Sequence, residues 1–210
     1  MIYSQSHKFI FIAIDKTGCS SISTLLRPYS TMHKNFIYAR SRLKLLGPLT
    51  RPFGIYNQMV FPVHASASQA KLYFPRREWE SMFKFSFVRH PLDRITSRYE
   101  FLVKKKRIPN NETFSKYLES ILLGRKRFKH QYTYILDRNR RQLVGWWGKI
   151  ERIEQDCEVL STKLNISLPK PPRINVSKDP GKNFRDYFTP SEKSAAEDFC
   201  RYDIELFKYQ

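Results

Sequence analysis

The sequence predicts an α/β protein in which a central parallel β-sheet is flanked by helices. Residues 9–14, Phe-Ile-Phe-Ile-Ala-Ile, form an unbroken apolar run of strand length, and Phe83–Val88 is a second run rich in phenylalanine. Such runs read as strands buried on both faces, as in a parallel sheet. Each is followed at once by a polar turn and then by apolar residues at helical spacing, Ile22, Leu25 and Leu26 after the first and Leu92, Ile95, Tyr99 and Leu102 after the second. Strand, turn, helix, repeated, is the grammar of open α/β sheets, which place their ligands at strand ends.

The first turn runs Asp15-Lys16-Thr17-Gly18-Cys19-Ser20-Ser21. Backbone N–H groups and a helix dipole at the end of a strand favour an anion such as phosphate or sulfate. Lys16 adds a full positive charge, Thr17, Ser20 and Ser21 add hydroxyl donors, and Gly18 lets the backbone approach closely. The nucleotide-triphosphate loop G-x-x-x-x-G-K-[ST] is a different pattern, because here the lysine precedes the glycine. Taken alone, the stretch also fits an ordinary strand-to-helix turn with a solvated lysine.

The length of 210 residues suits one domain, 1–210, with room for a sizeable core. Aromatic residues make up 15% of the chain, which points to a folded protein. Lys and Arg number 38 against 19 Asp and Glu, a net charge of +19 that attracts polyanions: nucleic acid, anionic lipid, acidic glycan or a phosphorylated cofactor. Cys19, Cys157 and Cys200 are far apart and odd in number, so neither a disulfide framework nor a zinc site follows. With no signal peptide or membrane-spanning run at the start, a reducing, cytoplasmic setting is expected. The acceptor patterns for glycosylation at Asn111, Asn165 and Asn175 are then taken as chance.

In chain order, residues 27–58 are basic and broken by Pro28, Gly47, Pro48, Pro52 and Gly54, with a short helix expected at 38–46. Residues 59–64 read as a second strand ending in His64, and Ser66 caps a helix behind it. Pro91 fits the first turn of the helix after Phe83–Val88. The runs Lys104-Lys105-Lys106-Arg107 and 125–129 read as solvated basic segments. A helix is expected at 114–123, a last short strand within 140–150, and an amphipathic helix over Ile153–Leu164. Residues 167–184 are Pro-rich and irregular. Thr189-Pro190-Ser191-Glu192 is a capping box opening one closing helix toward Phe207.

The first turn resembles the 5′-phosphosulfate-binding loop of the family 2 sulfotransferases, which include the Golgi carbohydrate sulfotransferases and soluble bacterial relatives. Arg89-His90-Pro91-Leu92-Asp93-Arg94-Ile95-Thr96-Ser97-Arg98-Tyr99 is similar to that family's 3′-phosphate segment, R-x-P-x-x-R-x-x-S-x-Y. The tail is similar too, in Ile150-Glu151, Leu168-Pro169, Asn175-Val176-Ser177, Tyr187-Phe188-Thr189 and 202–207. The likeness spans residues 9–207 with a gap at 27–58. Asp15 stands where the family often has proline.

The resemblance implies a P-loop-kinase-like sulfotransferase fold and transfer of the sulfonyl group of 3′-phosphoadenosine 5′-phosphosulfate (PAPS) to an acceptor hydroxyl, releasing adenosine 3′,5′-bisphosphate (PAP) without a metal. It puts Lys16, Thr17, Gly18, Cys19, Ser20 and Ser21 on the phosphosulfate, and Arg89 and Ser97 on the 3′-phosphate. Lys16 would stabilise the leaving phosphate oxygen. His64 would act as general base, with His130 as an alternative, while His90 reads as structural. The basic excess points to a glycan or other anionic small molecule as acceptor, and leaves peripheral membrane contact open. A different class is a basic module that binds nucleic acid or another polyanion without catalysis, although no recognised nucleic-acid motif is present. Phosphoryl transfer is disfavoured by the missing Walker lysine and Mg²⁺ ligands.

Overall fold

The computed structural model describes residues 1–31, 63–109, 111–172 and 183–210. These fall into two compact units, the first made of the described parts of 1–87 and 133–172, the second of those of 88–132 and 183–210. The expected helix at 38–46, residues 59–62 of the second strand candidate, and Asn175-Val176-Ser177 lie outside the described residues. Val63 and His64, at the end of that candidate, form an exposed turn.

The first unit is built on a sheet of β1 (Ile2–Ser4), β2 (Phe9–Ile12), β3 (Phe83–Val88) and β4 (Trp146–Lys149), in that order. β2 and β3 are parallel, with Phe9 opposite Phe83 and Ile12 opposite Ser86. Both are interior strands, as their apolar runs predict. The Ser86 hydroxyl donates to the Ile12 carbonyl at 2.8 Å, so the one polar side chain in the buried half of β3 is satisfied within the sheet. β1, too short to stand out in the sequence, pairs antiparallel with β2, Ile2 opposite Phe11. β2 stops at Ile12, two residues short of its apolar run.

Helices α1 (Cys19–Leu26) and α7 (Ile153–Leu164) bury Ile22, Leu25, Leu26, Cys157 and Leu160 against Phe9, Phe11, Phe85 and Phe87. Each such side chain removed from water contributes about 1.5–3 kcal/mol. β4 runs closely under this cluster, for a Cβ at Gly148 would stand 2.6 Å from the Phe87 ring. Two short helices precede β3. α2 (Ala67–Lys71) carries the cap expected at Ser66, with a reciprocal box to Gln69, whereas α3 (Arg76–Ser81) has no cap signal in the sequence.

The second unit is helical: α4 (Pro91–Lys104), α5 (Phe114–Leu122), α8 (Pro190–Phe199) and α9 (Arg201–Phe207). Its core joins Leu92 and Ile95 to Phe114, Tyr117, Leu118, Ile121, Ala196 and Cys200. α6 (Tyr132–Ile135) follows the second unit's first segment in the chain. The Thr189–Glu192 capping box is present, but the single closing helix expected there is two, broken where Cys200 takes φ −98° and ψ 8°. Neither glycine nor proline marks the break. The break lets α9 carry Asp203 to a separate task, described below. Among the described residues, no helix is long and apolar enough to cross a membrane.

Candidate active site

The turn after β2 is set by its backbone. Ala13 and Ile14 stay buried beyond the strand, and the buried Thr17 hydroxyl donates back to the Ile14 carbonyl at 3.0 Å, which closes the turn. Lys16 and Gly18 both have left-handed φ, 64° and 67°. For lysine this costs about 1–2 kcal/mol. Left-handed residues in a tight turn are how backbone N–H groups are gathered into an anion-binding concavity. Gly18 caps α1 without a side-chain bond, and the first backbone bond of α1 is Ile22 N–H to the Gly18 carbonyl at 3.2 Å. The N–H groups of Cys19, Ser20 and Ser21 therefore precede the helical ladder, as at any helix start. No acidic residue lies in that first turn. Asp15, the departure from the family pattern, accepts a hydrogen bond from the Tyr134 hydroxyl at 2.9 Å and so anchors the turn from outside.

Gly18 is also required sterically, because a Cβ there would stand 2.2 Å from Cδ1 of Ile150. Ile150 begins the 3₁₀ turn Ile150–Arg152 after β4, and its contact with the loop is not readable from sequence spacing.

His64 is tied to the same strand end. Its Nδ1 lies 2.9 Å from the Ala13 carbonyl. A carbonyl only accepts, so Nδ1 donates, and the neutral ring then offers Nε2 as a proton acceptor. The first unit thus brings together Lys16, Thr17, Gly18, Cys19, Ser20, Ser21 and His64 around the C-terminal end of one strand.

The second unit holds Arg89 and Ser97. Arg89 follows β3, and Ser97 is buried on α4. Asp93, one helical turn on, grips the Arg89 guanidinium as a fork, at 2.6 Å from Nε and 2.7 Å from Nη2. This i,i+4 spacing is a signal that the sequence carries. Gln131 was not expected. Its side chain accepts from the Arg89 N–H at 3.0 Å and donates to the Arg89 carbonyl at 2.8 Å. Arg94, also in the motif, is buried with its guanidinium 4.7 Å from the Phe128 ring.

His90 packs among rings, 4.9 Å from Phe184 and 5.2 Å from Tyr209, consistent with a structural part. His130 lies 4.6 Å from the Phe199 ring, and its Nδ1 is 3.8 Å from a carboxylate oxygen of Asp203. Burial holds its imidazole below the usual range, against the raising effect of Asp203. Burial likewise holds the Asp203 carboxyl above its usual range.

The sequence matches the sulfotransferase family over residues 1–210. The chain belongs to the family 2 sulfotransferases. No curated protein matches it at a significant level. As a family 2 sulfotransferase it moves a sulfonyl group to an acceptor hydroxyl, and PAPS is the donor typical of its family. The set of residues in the first unit offers a lysine, hydroxyls and helix-start N–H groups, and that in the second a guanidinium oriented by Asp93.

Proposed function

We propose that this sulfotransferase transfers the sulfonyl group of PAPS to a carbohydrate hydroxyl, or to the hydroxyl of another anionic small molecule, with His64 as general base. The observation that carries the reading is the hydrogen bond from His64 Nδ1 to the Ala13 carbonyl, which fixes the tautomer with Nε2 as acceptor. His64 is exposed, so Nε2 is open to a substrate. It takes the proton of the acceptor hydroxyl as that oxygen bonds to sulfur. On the other side of the sulfur, the bond to the 5′-phosphate oxygen breaks. Lys16 and the N–H groups after it stabilise the charge that gathers on that oxygen.

Arg89 and Ser97 hold the 3′-phosphate, the first through a charge-assisted bond and the second through a neutral one. Binding energy at that remote phosphate helps to position the reacting end. The net charge of +19 supports an anionic acceptor, since a positive field raises its local concentration.

The test is PAP release from PAPS over a panel of carbohydrate acceptors, with donor affinity measured alongside. His64→Ala is expected to lose turnover on the order of 10²–10⁴-fold, the usual range for a general base, while keeping donor affinity. Lys16→Ala should lose turnover and some affinity. Near-wild-type turnover in a folded His64→Ala protein moves the base elsewhere, with His130 first. Failure of the wild type to bind PAP, with tight salt-dependent binding of nucleic acid, overturns the reading in favour of a polyanion-binding module.

A further inference from the structure

Gln131 is fully buried, and its carboxamide closes on both backbone groups of a single residue, Arg89. The side chain does there what a neighbouring strand would do for a residue inside a sheet. Behind it stands Asp203 of α9, 1% exposed, whose two carboxylate oxygens accept the N–H groups of Gln131 at 2.9 Å and Tyr132 at 2.8 Å. Arg89 is therefore held at two points, its backbone by Gln131 and its guanidinium by the Asp93 fork.

Freezing a glutamine costs about 1.5–2 kcal/mol in rotamer entropy. Arg89 itself is only half-buried, so water could satisfy its backbone without that cost. What water would not supply is a fixed origin for the arginine side chain. Recognition of an anion by a guanidinium depends on the direction of its N–H groups, which follows from where the Cα–Cβ bond starts and how the fork orients the plane.

We propose that Gln131 is a positioning residue for Arg89, and that its two-sided clasp, backed by Asp203, sets how strongly the protein prefers a ligand carrying a 3′-phosphate. The proposal rests on the reading of Arg89 as the 3′-phosphate ligand.

The experiment compares two probes by calorimetry, adenosine 3′,5′-bisphosphate and adenosine 5′-phosphate. The proteins are the wild type, Gln131→Glu, Gln131→Leu, Arg89→Ala and the double variant Arg89→Ala/Gln131→Glu. Gln131→Glu keeps the volume and the acceptor for the Arg89 N–H, and loses the donor to its carbonyl. Both Gln131 variants are expected to bind the bisphosphate about 10–100-fold more weakly, the span of one charge-assisted bond. Adenosine 5′-phosphate, which does not reach for Arg89, should change by no more than about twofold. In the Arg89→Ala background, Gln131→Glu should add less than about twofold, because the residue it positions is gone.

A wild type that binds the two probes equally removes the assignment of Arg89, and the proposal with it. A wild type that prefers the bisphosphate, beside a Gln131→Glu protein that keeps that preference, overturns the proposal alone. Equal loss on both probes, whether from local disorder or from failure to fold, makes Gln131 a structural residue and also overturns it.

Discussion

Replacing Gly18 by alanine perturbs the turn after β2 in two separable ways. The first is backbone: at φ 67° any side chain costs about 1–2 kcal/mol. The second is steric. The new Cβ would stand 2.2 Å from Ile150 Cδ1 where about 3.5–4.0 Å is comfortable, so that methyl must retreat by about 1.3–1.8 Å. Overpacking of this kind costs about 1–3 kcal/mol, and the low end applies because Ile150 is half-buried and the clashing atom ends a rotatable side chain. The sum is about 2–3 kcal/mol, a fall in Tm of about 4–12 °C for a chain of this size. Ile150→Val deletes Cδ1 and nothing else. Alone it costs about 0.5–1.5 kcal/mol. Combined with Gly18→Ala it removes the closest contact, leaving the backbone share and a tighter-than-usual 3.1 Å approach to Cγ1, so the pair should be more stable than the sum of its parts by up to about 1 kcal/mol. Thermal unfolding of the four proteins reads this directly. Strict additivity would refute the reasoning, since it would mean that the close approach of Ile150 does not shape the loop.

Arg89→Ala should weaken PAP binding more than Ser97→Ala, because only the first removes a charge-assisted contact; equal effects in calorimetry would count against the roles given to them. Cys19 is half-buried at the first position of α1, with burial raising its thiol pKa, while burial pushes Cys157 and Cys200 up to about 12. Alkylation of the folded protein at pH 8, followed by mass spectrometry, should modify Cys19 first, and PAP should slow it. The Glu192 carboxyl sits below its usual range because it accepts from the Ser115 hydroxyl and from Thr189. A depressed folded pKa adds stability above the unfolded value, and that stability is lost as pH falls through the folded one. The Tm gap between wild type and Glu192→Gln should therefore be largest near neutrality and shrink in acid; a gap that grows in acid would contradict the sign.

The elements that carry the site were legible where a local pattern encodes them. The apolar runs gave β2 and β3 as interior strands, and Pro91 and the Thr189–Glu192 box marked helix starts that the structure has. What the sequence hid is non-local or lacks a breaker. Residues 9–14 read as one strand, yet the ladder ends at Ile12, and the Ala13 carbonyl beyond it accepts from His64. The helix break at Cys200 has no glycine or proline to announce it. Gln131 lies 42 positions from the residue it clasps, a separation that no local pattern encodes. Asp93, by contrast, sits at i,i+4 from Arg89 and could have been read as its partner.

The pairing of β2 with β3 also has a kinetic side. The bond between Ser86 and Ile12 joins residues 74 apart, whereas β1 and β2 are neighbours joined by a tight hairpin. Closing a loop of that length costs about 4 kcal/mol of chain entropy before the ladder returns anything. Hairpins form in about 1–10 μs, while long-range parallel pairing is slow. The strand that leads into the Lys16 turn thus gains its antiparallel neighbour early and its parallel one late. A refolding chain should become collapsed and partly sheet-paired well before it can hold its donor. In stopped-flow refolding, affinity for PAP should emerge with the slowest phase, behind the rise in secondary structure.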